Sequence, residues 1–331
     1  MKNICPKILK IVILFSFLCC FVPLMSKVYG APALRTVTFF NRKYLNLYSI
    51  GNAYGLRVYQ RSGRINIAGK YHMFSFIPDK MAATFNGVQI TLSHAVYHNK
   101  GSYYISQIDY DTVMKVLLNR KNMRRHRVRT VFLDPGHGGR DVGAEGRYYY
   151  EKNLTLRLAS RVRQYLRKAG FNVIMSRRAD AFISLEQRAA IANKYQADIF
   201  VSIHFNSAAN KKVYGLETYC MSPAGASSSN ASKIDYKKYN GNLHDQNNFA
   251  LAYLMQRAIL GTTKALDRGV KHARFLVLKE VKMPAVLVEC GFLSNPESER
   301  IIGNERYLDQ MARGIAQSII NYKKAAEKAG F

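Results

Sequence analysis

The stretch from Arg129 to Gly170, RTVFLDPGHGGRDVGAEGRYYYEKNLTLRLASRVRQYLRKAG, changes its hydrophobic period once, and that change decides the fold. Arg129–Asp134 is an apolar strand. From Glu151 to Ala169, Leu154, Leu158, Val162 and Leu166 recur on one helical face, and Gly170 stops the helix. The alternation then continues. Phe171–Ser176 returns as a strand, Ser184 and Gln187 form a capping box for a Leu185–Lys194 helix, and Asp198–His204 is a buried strand. Gly215–Cys220 follows as a strand, and a long helix runs through Phe249, Leu254 and Ile259. Phe275–Leu278 and Ala285–Glu289 read as strands, and Asn304 caps a last helix carrying Leu308, Met311, Ile315 and Ile319. Strands alternating with helices specify an α/β fold, a largely parallel sheet flanked by helices.

Upstream the pattern shortens. Arg35–Phe40, Leu56–Arg61, Arg64–Ala68, Tyr71–Ile77 and Val88–Leu92 alternate with period two, with turn signals at Ser62-Gly63 and Asn86-Gly87. Short helices are expected at Ser49–Tyr54 and Asp109–Leu118. Residues 31–118 therefore read as a small β-rich module ahead of the α/β domain over 130–331. Between them, 119–129 reads NRKNMRRHRVR, with six basic residues and no acid, which is either a solvated linker or a contact for anionic polymer. At the start, Lys2, Lys7 and Lys10 precede the apolar run Ile11–Met25 and then small residues, the anatomy of a secretory signal over 1–30. Export to the periplasm or cell wall is the expectation. Of five cysteines only Cys220 and Cys290 lie beyond that segment, so no disulfide framework is implied.

Fifty basic against twenty-one acidic side chains give a net charge of +29, which draws an exported protein to anionic polymers. No nucleic-acid motif accompanies the charge.

In sheets of this kind ligands gather beyond the strand ends. Four polar residues fall there: His137 after the first strand through a Pro-Gly turn, Glu151 at the start of the next helix, and His204 and Glu289 at the ends of two further strands. Two imidazoles and one carboxylate make a catalytic zinc set with a position left for water. A second carboxylate then serves as general base and acid. Gly136, Gly138 and Gly139 fit close passage of the loop or a tight turn, and Asn206 fits a substrate contact or a turn.

The blocks FLDPGHGGRDVGAEGRYYYEKNLTL, RRADAFISLEQRAAIANKYQADIFVSIHFNS, GLETY, RGVKHARFLVL and MPAVLVECGFLSNPESE occur in order from Arg129 to about Lys324. They resemble the zinc-dependent N-acetylmuramoyl-L-alanine amidases of the amidase_3 type. By that resemblance His137, Glu151 and His204 match the ligands of one zinc per chain, and Glu289 matches the catalytic glutamate. The implied reaction is hydrolysis of the amide between N-acetylmuramic acid and L-alanine of peptidoglycan by zinc-activated water. Asp267 stands where that family carries Asn. Residues 31–118 resemble, by pattern, copper-amine-oxidase-N-terminal-like modules, which implies wall docking or spacing and no copper chemistry. Peptidoglycan, together with other anionic envelope polymers, is the expected partner, and a protein activator is left open. Two other readings fit the composition: a zinc peptidase cutting within the stem peptide, and a non-enzymatic wall-binding protein. The Ser- and Asn-rich stretch 223–248 is expected to be a mobile lid carrying Asp235, His244 and Asp245 as the only residues that could reach a zinc.

Overall fold

The computed structural model describes residues 34–330, so the expected signal lies outside the described residues. Strands β1 (Thr36–Phe39), β2 (Arg42–Asn46), β8 (Tyr97–Asn99) and β9 (Ser102–Ser106) form a four-stranded antiparallel sheet in the order β1-β2-β9-β8. Helix α1 (Leu47–Ala53) starts where the Asn46 side chain accepts the N–H groups of Tyr48 and Ser49. A meander follows through β3 (Arg57–Arg61), β4 (Arg64–Ala68), β5 (Met73–Phe76), β6 (Ala82–Phe85) and β7 (Val88–Thr91). Its two expected turns are two-residue hairpins in which Ser62, Gly63, Asn86 and Gly87 all have positive φ, the geometry that matches strand twist. The helix expected at Asp109–Leu118 is instead α2 (Gln107–Asp109), a π turn (Tyr110–Met114) and α3 (Lys115–Leu118). The wider turn rotates the apolar stripe so that Tyr110, Val113, Met114 and Val116 are all buried.

In the second half the strands are β10 (Thr130–Pro135), β11 (Asn172–Met175), β12 (Ile199–Asn206), β13 (Leu216–Met221), the hairpin β14 (Ala226–Ser228) and β15 (Ala231–Asp235), β16 (Asp267–Ala273) and β17 (Ala285–Phe292). The helices are α4 (Glu151–Lys168), α5 (Leu185–Lys194), α6 (Asp245–Thr263), α7 (Leu276–Glu280), α8 (Pro296–Ile302) and α9 (Glu305–Glu327). The capping box of Ser184 and Gln187 and the cap of Asn304 form as the sequence implies. β10, β11, β12 and β17 are mutually parallel, β13 runs antiparallel to β17, and β16 is parallel to β13. The sheet does not stop there: β16 meets β7 at Val270 and Ile90, giving eleven strands in the order β11-β10-β12-β17-β13-β16-β7-β6-β5-β4-β3.

Pleating sends Val131, Leu133, Val201, Ile203, Val286 and Val288 to one face, where α4, α6 and α9 complete the larger core. Phe132, Phe200, Tyr219 and Leu287 point to the other face, covered by α5 and α7. That second layer is thin, since α5 and α7 have 10 and 5 residues against 18, 19 and 23 for α4, α6 and α9. It leaves the strand ends on its own face open.

Three expectations are corrected. Phe275–Leu278 is not a strand: the apolar run of four fits either state, and here Leu276–Glu280 is helical while the preceding RGVKHA segment pairs with β13. The basic segment 119–129 is packed, with Met123 and Val128 buried and the Arg124 N–H donated to the Asn247 side chain. Nor is 223–248 a loose loop. The β14–β15 hairpin is tied by the Arg274 guanidinium to the carbonyls of Pro223, Ala226 and Asp235, and by Ser227 and His94 to the β-rich half.

Candidate active site

Site residues are delivered by three neighbouring strands and one helix start. In register, His204 of β12 lies beside Glu289 of β17, and Glu217 of β13 lies on the other side of Glu289, so the three share a face of the sheet. His137 sits at the turn after β10 with φ 59°. Glu151 is the first residue of α4, where the helix dipole favours its charge.

The Glu151 carboxylate is locked from four directions. One oxygen is 2.9 Å from His204 Nδ1 and accepts the Phe205 N–H, and the other is 3.2 Å from His137 Nε2 and accepts the Ala144 N–H. Burial alone would raise its pKa, but the hydrogen bonds and charges of His137 and His204 hold it well below the usual carboxylate range. Burial would lower the His137 pKa; Glu151 and Asp141 outweigh it, and the ring is held above its usual value. His137 Nδ1 lies 2.9 Å from Asp141, which fixes the tautomer and turns Nε2 toward Glu151 and the centre of the cluster.

One ligand atom each from His137, Glu151 and His204 lies within 4.8 Å of the others. The imidazoles are 25% and 17% exposed, so the cluster is reachable from solvent. Space around it is tailored. A Cβ on Gly136 would sit on the His204 ring, and one on Gly143 would come to 2.6 Å of both Glu151 and His137. Two neutral-capable imidazoles, one of them aimed by Asp141, and one carboxylate suit a divalent ion with an open coordination position.

Glu289 completes the site differently. It is buried, and its Oε2 has no hydrogen-bond partner. Burial, then the charges of Glu151 and Glu217, push its pKa well above the ordinary value, with Lys271 opposing. A raised proton affinity suits a group that must both accept and return a proton.

Several residues that sequence reasoning passed over position this site. Glu217 accepts Arg268 Nε and Lys271 Nζ at 2.6 Å each and the Tyr219 hydroxyl at 2.5 Å, and although its burial acts to raise its pKa, those partners lower it. It holds two cations beside the catalytic face. Asp134, fully buried, accepts Ser176, Ser202 and Arg188, and Arg188 in turn donates to the carbonyls of Pro135, His137 and Ile183. Arg177 binds the carbonyls of Pro135 and Gly136. Two buried guanidiniums thus hold the backbone that presents His137. The available signal was a charge in an apolar stretch: Asp134 closing a strand, and Arg188 inside a short amphipathic helix. Asn206 ends β12, pairing with Phe292 after a register shift, and its side chain accepts the Ser207 N–H. Gly139 has positive φ and packs against Phe182, as a tight turn requires, whereas Gly136 passes close to the His204 ring.

The 223–248 segment is not part of the site. β13 runs away from Glu289, from Glu217 opposite Glu289 to Cys220 opposite Val286, so the segment emerges roughly 17 Å along the sheet at the other end of the strand. Asp235 is engaged by Tyr239 and Asp245 by Asn242, and the His244 ring lies tilted 6.4 Å from that of His126. The lid reading fails because the antiparallel strand reverses direction. Asp267 likewise serves elsewhere, accepting Gln89 N, Gln256 Nε2 and Gly269 N and tying β7 to the second half. Cys220 and Cys290 are buried free thiols.

This α/β fold carries an open His-Glu-His cluster that could hold a metal ion, with a buried acid beside it, and the chain belongs to the Amidase_3 family, N-acetylmuramoyl-L-alanine amidase, which matches residues 131–321. Over 219 residues it is 35% identical to the N-acetylmuramoyl-L-alanine amidase AmiA of Escherichia coli (strain K12), covering 59% of this chain and 76% of that protein. It is also similar to the crystal structure of an N-acetylmuramoyl-L-alanine amidase from Clostridium difficile 630, at 39% identity and a TM-score of 0.51, covering 60% of this chain and 97% of that one. The catalytic domain of CwlV from Bacillus (Paenibacillus) polymyxa var. colistinus matches at 33% identity with the same TM-score, over 60% of this chain and 99% of that one. The β-rich half lies outside the family match, which begins at residue 131.

Proposed function

We propose that this chain is an exported, zinc-dependent peptidoglycan hydrolase that cleaves the amide between N-acetylmuramic acid and L-alanine. Family membership supports the reaction, and the observation that carries the chemistry is Glu289, a buried unpartnered acid beside three converging ligand atoms. His137, Glu151 and His204 would hold the ion, which when bound supplies Lewis acidity to the scissile carbonyl and to water. Asp141 keeps the His137 ring in the ligating tautomer, and Arg188 and Arg177 fix the turn that carries it. Glu289 takes the proton of the attacking water and returns it to the departing amine of L-alanine, a task its raised proton affinity suits. The positive charge of the chain and the leader-like first thirty residues support action at an anionic envelope outside the cytoplasm.

Digestion of purified peptidoglycan with and without a chelator tests this. Products with free N-terminal L-alanine and glycan bearing a lactyl carboxylate are expected, and only without chelator. Alanine left on muramic acid would make the enzyme a stem peptidase, and chelator-resistant cleavage would refute the zinc.

A further inference from the structure

The basic joint does not act alone in the folded chain. Helices α6 and α9 pack together, and residues 119–121 run beside them, so that Arg120, Lys121, Arg257, Lys324 and Lys328 line one groove of about 750 Å³ with no acidic residue in its walls. The five come from three segments well separated along the chain, and all are exposed. Neighbouring cations on the same helices are neutralised, Arg313 by Asp309 and Lys323 by Glu327, whereas none of the five has a carboxylate partner among the described residues. The helix dipole accounts for Lys324 and Lys328 at the end of α9, but not for Arg257 within α6 or for Arg120 and Lys121. Lys324 and Lys328 are also one turn apart, a like-charge pair that costs a helix stability unless an anion lies across it.

We propose that this groove is a binding site for a linear phosphodiester polymer, distinct from the catalytic centre. The lining chooses among polyanions. No aromatic ring faces the groove, so there is no platform on which bases would stack. No large apolar side chain projects from it to enter a bilayer, the apolar floor being Leu254, Ala258 and Ala325. Between the cations stand the amides of Asn119, Gln317 and Asn321, donors for backbone oxygens and hydroxyls. A flexible chain of phosphates without bases or acyl tails satisfies all three features. The groove opens on the α6–α9 layer, on the opposite side of the sheet from the face that carries His204 and Glu289. Bound polymer would hold the enzyme at an anionic surface with its catalytic face free.

The test compares two full-length variants of equal charge. In one, Arg120, Lys121, Arg257, Lys324 and Lys328 become Gln; in the other, exposed Arg61, Lys70, Lys80, Lys100 and Lys194 do. Binding of fluorescent poly(glycerol phosphate) is titrated across salt concentrations, with poly-L-glutamate, single-stranded oligothymidine and phosphatidylglycerol vesicles as separate arms. Groove neutralisation is expected to weaken the phosphodiester polymer at least tenfold and to flatten its salt dependence by up to about 3.5 logarithmic units per decade, since each of five phosphate contacts contributes ~0.7. The control should lose less than threefold, and both should keep wild-type circular dichroism. Equal losses would show that net charge alone attracts the polymer and would overturn the site. Tighter binding of polyglutamate, oligothymidine or vesicles than of poly(glycerol phosphate) would overturn the ligand class. Because binding is read directly, the result does not depend on the hydrolytic reading.

Discussion

Replacing Arg188 by Ala probes how the fold holds its catalytic turn. The guanidinium is 2% exposed and makes four hydrogen bonds, to the Asp134 carboxylate at 2.7 Å, to the carbonyls of Pro135 and His137 at 2.8 Å each, and to that of Ile183 at 2.9 Å. Breaking a buried ion pair from one side costs about 3–5 kcal/mol, because the remaining charge stays desolvated. Asp134 keeps two hydroxyl donors, Ser176 and Ser202, which moderates its loss, while the freed carbonyls add to it. The expected destabilisation is therefore about 4 kcal/mol in urea unfolding. Freed from Arg188, the His137 carbonyl no longer fixes the ring, and zinc affinity should fall by about tenfold or more, as for loss of a group that orients a ligand. Arg188→Lys separates the two effects. A single ammonium restores charge to Asp134 but cannot span the Pro135 and His137 carbonyls, so stability should recover further than zinc affinity does. A Pro135–His137 turn that needs no clamp would leave Arg188→Ala within about 1 kcal/mol of wild type with unchanged zinc affinity, and the reasoning would be refuted.

Glu289→Gln should reduce turnover by about 10²–10⁴ while zinc content stays near that of wild type, since the acid lies outside the ligand set; loss of metal would make Glu289 a ligand. Asp141→Ala should weaken zinc binding by about 10–100-fold through the released His137 ring, and competition with a chromogenic chelator reads this directly. Asp245 gives a pH prediction. Burial raises its pKa from 3.8 to about 7, so the fold favours the protonated form, and the stability it contributes is complete below about pH 4 and is lost as pH rises through 7. Asp245→Asn should therefore raise the Tm by several degrees at pH 8 and by little at pH 4; a pH-independent difference would contradict the burial argument.

Local sequence was sufficient for everything set by near neighbours. The capping box at Ser184, the cap at Asn304, the Ser62-Gly63 and Asn86-Gly87 turns and the amphipathic face of α4 each depend on residues within a turn or two, and all formed where the pattern placed them. His137, Glu151, His204 and Glu289 were legible for a related reason, because a parallel α/β sheet brings strand ends to one edge whatever the details of packing. Where the period was too short to speak, sequence failed: four apolar residues at Phe275–Leu278 fit helix or strand equally, and only the pairing of β16 with β13 decided between them. Chain direction was equally hidden. That β13 runs antiparallel, carrying the 223–248 segment away from the site and Glu217 beside Glu289, is a property of strand order that no local pattern encodes. The same holds for the clamp of Arg177 and Arg188 and for the groove joining Arg120 to Lys328. Sequence fixes which residues a helix or strand presents, whereas long-range contacts fix which of them meet, because their energies arise only once loops have closed and water has been expelled.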